Sequence, residues 1–204
     1  MEVSRTDIDG LVVIKVKAIE DDRGVIREFY RESSWIEAGL PSLGPWAQLN
    51  VTDSHQGTIR GLHGEDMHKL VGIGSGEAMG AYVDLRRDSP TFRAVVTVPL
   101  TLHTQVLVPK GVCNGFQPTS VGGCTYVYCF DNEWRVDMSG VAVNPLDPEL
   151  GIDWRGMLGG AEPILSERDS TAPSFASVRE SGRMPRYEDC LEVYRTVGRL
   201  EATV

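Results

Sequence analysis

The residues best suited to chemistry lie in one short stretch, Thr58-Ile59-Arg60-Gly61-Leu62-His63-Gly64-Glu65-Asp66-Met67-His68-Lys69. It gathers an Arg, two His and a Lys, bends at Gly, and has apolar, strand-like residues on both sides. Such a set suits removal of a proton from carbon beside a ketone. That proton is very weakly acidic, so the base must titrate near the working pH, as imidazole does with an ordinary pKa of about 6.5. The enolate that forms needs a cation or a donor at its oxygen, and Lys69 is a candidate. Returning the proton to the other face needs an acid there, often a Tyr. Alternate side chains of a strand share a face. That rule sets Arg60 and Leu62 on one side and Gly61 and His63 on the other, with Gly61 leaving room for a small ligand beside the imidazole. A half-buried strand histidine with satisfied nitrogens accounts for His63 about equally well.

The rest of the chain has to hold that stretch in place. Its 204 residues suit one domain spanning 1–204, long enough to bury a substantial core. A net charge of −9 argues against nucleic acid or an anionic membrane surface as partner, while a few local Arg and Lys still suffice for a small anion. No apolar run is long enough to predict a membrane-spanning helix. The N-terminus lacks the charged-then-apolar pattern of a signal peptide. The four Cys (Cys113, Cys124, Cys129 and Cys190) show no C-x-x-C spacing, which fits free thiols in a reducing cytoplasm.

Pattern reading predicts a strand over 10–16, a turn at Asp21-Asp22-Arg23-Gly24 and a strand over 25–30. Ser33-Ser34 would cap a short helix through Trp35 to Ala38, ended by Gly39. An all-β core follows over about 46–131, with strands expected at 46–52, 58–63, 69–74, 77–86, 94–100, 104–108, 113–117 and 124–131. Turn residues at short, regular intervals favour a sandwich or barrel over βαβ units. Segment 132–204 is irregular and should wrap the barrel. Ser166-Glu167-Arg168-Asp169 reads as a polar loop, 174–180 as a helical turn or two, and the tail with Leu191, Val193 and Leu200 as a docking helix or a partly disordered end.

Taken in order, further pieces complete a pattern: Asp22-Arg23-Gly24 with Glu28, Gln48-Leu49-Asn50, Arg60-Gly61-Leu62-His63, Lys69-Leu70-Val71, Val83-Asp84-Leu85-Arg86 and Asp88-Ser89-Pro90-Thr91-Phe92. Pro109-Lys110-Gly111, Gly115-Phe116, Tyr128, Ile152-Asp153-Trp154 and Leu165-Ser166-Glu167-Arg168-Asp169 continue it. This succession resembles the nucleotide-sugar 4-keto epimerases typified by dTDP-4-dehydrorhamnose 3,5-epimerase. The resemblance implies an all-β cupin, or jelly-roll, barrel with a few short helices and an irregular C-terminal wrap. It implies a homodimer that exchanges strands, no metal and no organic cofactor. The implied substrate is a nucleoside-diphosphate 4-keto-6-deoxy sugar, inverted at C3, C5 or both.

By position, the resemblance makes His63 the general base, Asp169 its orienter, Lys69 the enolate's cation and Tyr128 the acid on the opposite face. Arg23, Glu28, Gln48, Asn50 and Arg60 would hold sugar and diphosphate, Arg23 and Glu28 in the partner's site. Without the resemblance, Asp169 reads as a cap on the next turn. Tyr126 shares a strand face with Tyr128, so either could be the acid. Asn114 stands where many members carry His, and joins the substrate-binding set as a donor that cannot titrate. Trp134 replaces a second Tyr, Gly80 an Asp near the base, and Gly64 an aromatic in a shortened loop. These departures resemble a branch acting on GDP-linked 4-keto sugars. The metal-dependent cupins, with their H-x-H pairs, match less well, because His55, His63, His68 and His103 contain no such spacing. Two other functions fit the same residues: a nucleotide-sugar 3,4-ketoisomerase, and a non-catalytic nucleotide-sugar binding module.

Overall fold

The computed structural model describes residues 1–160 and 162–196. Among these residues thirteen strands are formed: β1 (Glu2–Arg5), β2 (Val12–Lys15), β3 (Ala18–Asp21), β4 (Gly24–Arg27), β5 (Gln48–Ser54), β6 (Arg60–Glu65), β7 (Lys69–Ser75), β8 (Ala78–Asp84), β9 (Val95–Leu100), β10 (Thr104–Val108), β11 (Val112–Pro118), β12 (Cys124–Phe130) and β13 (Gly140–Ala142). Four helices accompany them: α1 (Glu32–Glu37), α2 (Glu167–Ser170), α3 (Phe175–Glu180) and α4 (Tyr187–Thr196). The named strands pair antiparallel throughout, in a six-stranded sheet ordered β1-β2-β10-β7-β12-β5 and a five-stranded sheet ordered β13-β6-β11-β8-β9, with β3 and β4 forming a separate hairpin. This is the expected all-β jelly roll.

Three apolar clusters explain why the central strands read as continuous apolar runs. Val71, Tyr82, Val106, Phe116 and Tyr126 fill the space between the two sheets. The far face of the five-stranded sheet is covered by the C-terminal wrap through Leu150, Trp154, Phe175, Val178 and Met184. The far face of the six-stranded sheet is covered by Trp35 of α1 together with Leu40 and Leu43. Strands such as β10, buried at every residue, are therefore apolar on both faces. Asp84 and Arg86, 0% and 1% exposed, form a mutual ion pair, and Ser89 and Thr91 donate hydroxyl hydrogen bonds to the same carboxylate. That network fastens the turn after β8 and takes no part in the pocket.

The core strands fall within a few residues of their expected positions. Strands β1 and β13 carry too little apolar pattern to be read from sequence. Ser33 and Ser34 lie inside α1 rather than capping it; Arg31 is the N-cap residue and gives no side-chain cap. Residues 166–169, expected as a loop, begin a short helix whose N-cap is Ser166. The tail docks through α4, where Cys190 is buried, while Leu200 falls outside the described residues. All four cysteines are free and buried. No helix among the described residues is long and apolar enough to cross a membrane.

Candidate active site

A cavity of about 270 Å³ opens between the two sheets. Alternation on β12 turns Tyr126, Tyr128 and Phe130 to the same side, each ring about 5.3 Å from the next. Register then brings Asn50 beside Tyr128, and both Gln48 and Lys69 beside Phe130. On the facing sheet, His63 pairs with Asn114. The cavity is thus lined by His63, Lys69, Asn114, Tyr128, Gln48, Asn50 and Arg60. Of the residues singled out from sequence, seven meet here directly and Asp169 stands just behind His63.

Simple alternation is wrong for Arg60 and His63, which face the same cavity. Four residues of β6 (Arg60 to His63) span the interval that three residues of β11 (Phe116 to Asn114) occupy. This is a β-bulge, and the extra residue restores Arg60 to the pocket side. Gly61 makes it possible. Its φ is +126°, and a Cβ there would lie 2.5 Å from the Gly115 Cα and 2.8 Å from the Asn114 carbonyl oxygen. Gly61 therefore serves a close approach of two strands and opens no space for a ligand, contrary to expectation.

His63 Nε2 lies 2.8 Å from Asp169 Oδ1. Asp169 does not cap the turn; Ser166 does, by accepting the Asp169 backbone N–H at 3.1 Å. The carboxylate is thereby left for the imidazole. Burial alone would raise the Asp169 pKa, but the His63 hydrogen bond and charge, with help from Ser166 and the Gly61 backbone, hold it below the usual carboxylate value. Asp169 thus stays an anion. As the acceptor at Nε2 it favours the tautomer that carries a proton there, which leaves Nδ1 as the acceptor nitrogen of the ring.

Tyr128 hydrogen-bonds Thr52 through the two hydroxyls at 2.7 Å. Tyr126 is wholly buried, stacked on Phe116 with centroids 3.8 Å apart, and desolvation pushes its phenol far up. It is core, which resolves the choice in favour of Tyr128 as the pocket phenol. Lys69 is 4% exposed and donates to Glu65, to Asn114 Oδ1 at 2.5 Å and to the His63 carbonyl at 3.4 Å. The Gln48 side chain donates to Asn50 and accepts the Trp134 backbone N–H, so it braces the rim. Arg60 donates to Ser54 at 2.8 Å. Arg23 and Glu28 lie outside the cavity of their own chain, bound to Asp21 and Arg31 in and after the exposed hairpin.

Sequence reasoning did not assign Glu65, Phe116, Phe130, Trp134 or Arg168 to the site, yet all line it. Alternation from His63 points to Glu65, and adjacency to Asp169 points to Arg168. Together Arg60 and Arg168 give the pocket two guanidinium groups suited to a diphosphate. The second His of the stretch, His68, is buried against Asp131, Nδ1 to Oδ2 at 2.7 Å, and anchors the end of β12. A larger cleft of about 460 Å³ lies beyond Glu65, near Lys110, Arg183 and Cys190, but contains neither His63 nor Asp169. Among the described residues no three His, Cys, Asp or Glu side chains group as metal ligands would.

A carboxylate-backed imidazole, a phenol and an ammonium around one cleft in a jelly roll are the equipment of an isomerase that moves protons on carbon. The sequence profile of dTDP-4-dehydrorhamnose 3,5-epimerase matches residues 5–177. A dTDP-4-dehydrorhamnose 3,5-epimerase of Streptomyces griseus is 33% identical over 93% of this chain and 94% of its own length. Among solved structures, the rmlC epimerase of Mycobacterium tuberculosis superposes with a TM-score of 0.86 at 31% identity, covering 98% of this chain and all of that one. A 3'-monoepimerase of Streptomyces bikiniensis, solved with dTDP-quinovose, gives 0.85 at 31% identity over 96% of this chain and 98% of its own. The chain belongs to the dTDP-4-dehydrorhamnose 3,5-epimerase family, and is an isomerase of nucleotide sugars.

Proposed function

We propose that this enzyme epimerises a dTDP-linked 4-keto-6-deoxy sugar at C3, at C5 or at both, through an enolate. The observation that carries the reading is the 2.8 Å His63–Asp169 contact at a cavity that Tyr128 also lines. His63 removes the proton through Nδ1, and the Asp169 carboxylate stabilises the imidazolium that results. Lys69 and Asn114 supply the positive side of the pocket for the enolate oxygen. Tyr128, with Thr52 behind it, returns a proton to the opposite face. Arg60 and Arg168 hold the diphosphate, and Gln48 and Asn50 the sugar. Two of the relatives named above, the Streptomyces griseus epimerase and the monoepimerase solved with dTDP-quinovose, are tied to dTDP sugars, which favours thymidine over guanosine as the base.

The same reading includes a homodimer. Hairpin β3–β4 joins neither sheet and exposes Ile19, Val25 and Ile26. Edge strand β5 exposes Leu49 and Val51. Apolar surface of this kind needs a cover, and a second copy would bring Arg23 and Glu28 toward a pocket that lacks them.

The test is exchange with solvent. A panel of dTDP- and GDP-4-keto sugars is incubated in D₂O and followed by NMR. His63→Asn should abolish deuterium entry at C3 while dTDP still binds. Tyr128→Phe should keep exchange but lose the inverted product. Wild-type exchange in the His63 variant would refute the base assignment.

A further inference from the structure

Glu65 has no role in the scheme so far, yet it is placed to control one. The Lys69 ammonium has three N–H donors. All three have acceptors inside the protein: Glu65, Asn114 Oδ1 and the His63 carbonyl. Lys69 is nearly enclosed, and a buried ammonium holds its charge only beside an anion. Glu65 is that anion. Burial would raise its pKa, but the Lys69 charge and hydrogen bond, with His63 nearby, bring it below the ordinary value. With every donor engaged, Lys69 has none to spare for a ligand. The Asn114 amide differs: its oxygen is taken by Lys69, so its nitrogen is the donating side, with the buried Tyr126 hydroxyl as one neighbour and an N–H left to donate in the cavity that it lines.

We propose that Glu65 is a positioning residue, and that the chain Glu65–Lys69–Asn114 fixes the Asn114 amide so that this N–H meets the ketone oxygen of the substrate. The proposal rests on the epimerase reading and names the donor at the enolate oxygen within that site. Lys69 acts from behind Asn114, polarising the amide through its carbonyl oxygen. Glu65 also stands two residues from His63 on β6, so its carboxylate faces the same cavity as the base. Position 80 cannot supply one, since a side chain there would meet the Tyr82 hydroxyl at 2.7 Å.

Four proteins test it: wild type, Glu65→Gln, Lys69→Gln and the double variant, which leaves no unpaired buried charge should a single variant misfold. In D₂O at saturating dTDP-4-keto sugar, each single variant should lose about 10- to 100-fold in exchange rate with dTDP affinity held within about twofold. The double variant should be no slower than Lys69→Gln, because Glu65 acts only through Lys69. A Glu65→Gln rate within about threefold of wild type, or losses that multiply in the double variant, would overturn the proposal. A second readout needs no turnover: the Lys69 ammonium should give a slowly exchanging ¹H–¹⁵N signal that Glu65→Gln loses, and its persistence would count equally against the proposal. If wild type exchanges no sugar at all, the epimerase reading fails, while the ammonium signal still decides the role of Glu65.

Discussion

Asp169 meets His63 through Nε2, and in the proposed reaction that contact leaves Nδ1 as the nitrogen that takes the proton. A carboxylate that only oriented the ring could be replaced by an amide at little cost. One that stabilises the imidazolium could not. Asp169→Asn should therefore lower the C3 exchange rate by about 100-fold or more with dTDP affinity retained. The same residue links pH to stability. Its folded pKa lies below the ordinary value, so its contribution is fully present above about pH 4 and is lost as pH falls through the folded pKa. Thermal melts from pH 7 to 3 should show a steeper acid decline for wild type than for Asp169→Asn. Parallel curves would mean that the carboxylate is not held by His63 in solution.

At the scale of the element, the bulge in β6 is what assembles the site. Without its extra residue, Arg60 would turn away to the side of Leu62, which packs in the cluster under the five-stranded sheet. Gly61 and Gly115 let β6 and β11 close on each other at that point, where any Cβ would strike backbone. Gly61→Ala combines a φ of +126° with a contact of 2.5 Å, so it should cost about 2–3 kcal/mol or more, measurable by urea denaturation. Activity should fall further than stability, because the variant has to move Arg60 relative to His63. A stable, fully active Gly61→Ala protein would show that the bulge is incidental.

Across the whole molecule, the central strands β7 and β10 are buried on both faces, while β5 and the β3–β4 hairpin leave apolar side chains open to solvent. Ile26 is 71% exposed and Val51 60%, values at odds with the closed clusters elsewhere. Arg23 sits on that hairpin, its side chain 89% exposed and distant from any chemistry in its own chain. Ile26→Asp should give a folded monomer by sedimentation, with exchange activity lost because Arg23 and Glu28 no longer reach a second pocket. A fully active monomer would remove the need for a partner.

The amino-acid sequence by itself determined the strand rhythm from Gln48 to Phe130 and the family pattern, since these rest on local spacing and residue type, and through that pattern it named His63 and Asp169 as a pair. Through the same family pattern it also reached Tyr128, Gln48, Asn50 and Asn114, which regular strands then carry to one cavity. Only the tertiary structure decided the rest. Alternation fails at a bulge, so Arg60 and His63 share a cavity that simple counting divides. Tyr126 and Tyr128 are equivalent by spacing, and only packing against Phe116 separates core from site. Glu65, to which the sequence reading gave no role, becomes the counterion of a buried lysine because folding removes the water that would otherwise have screened them both.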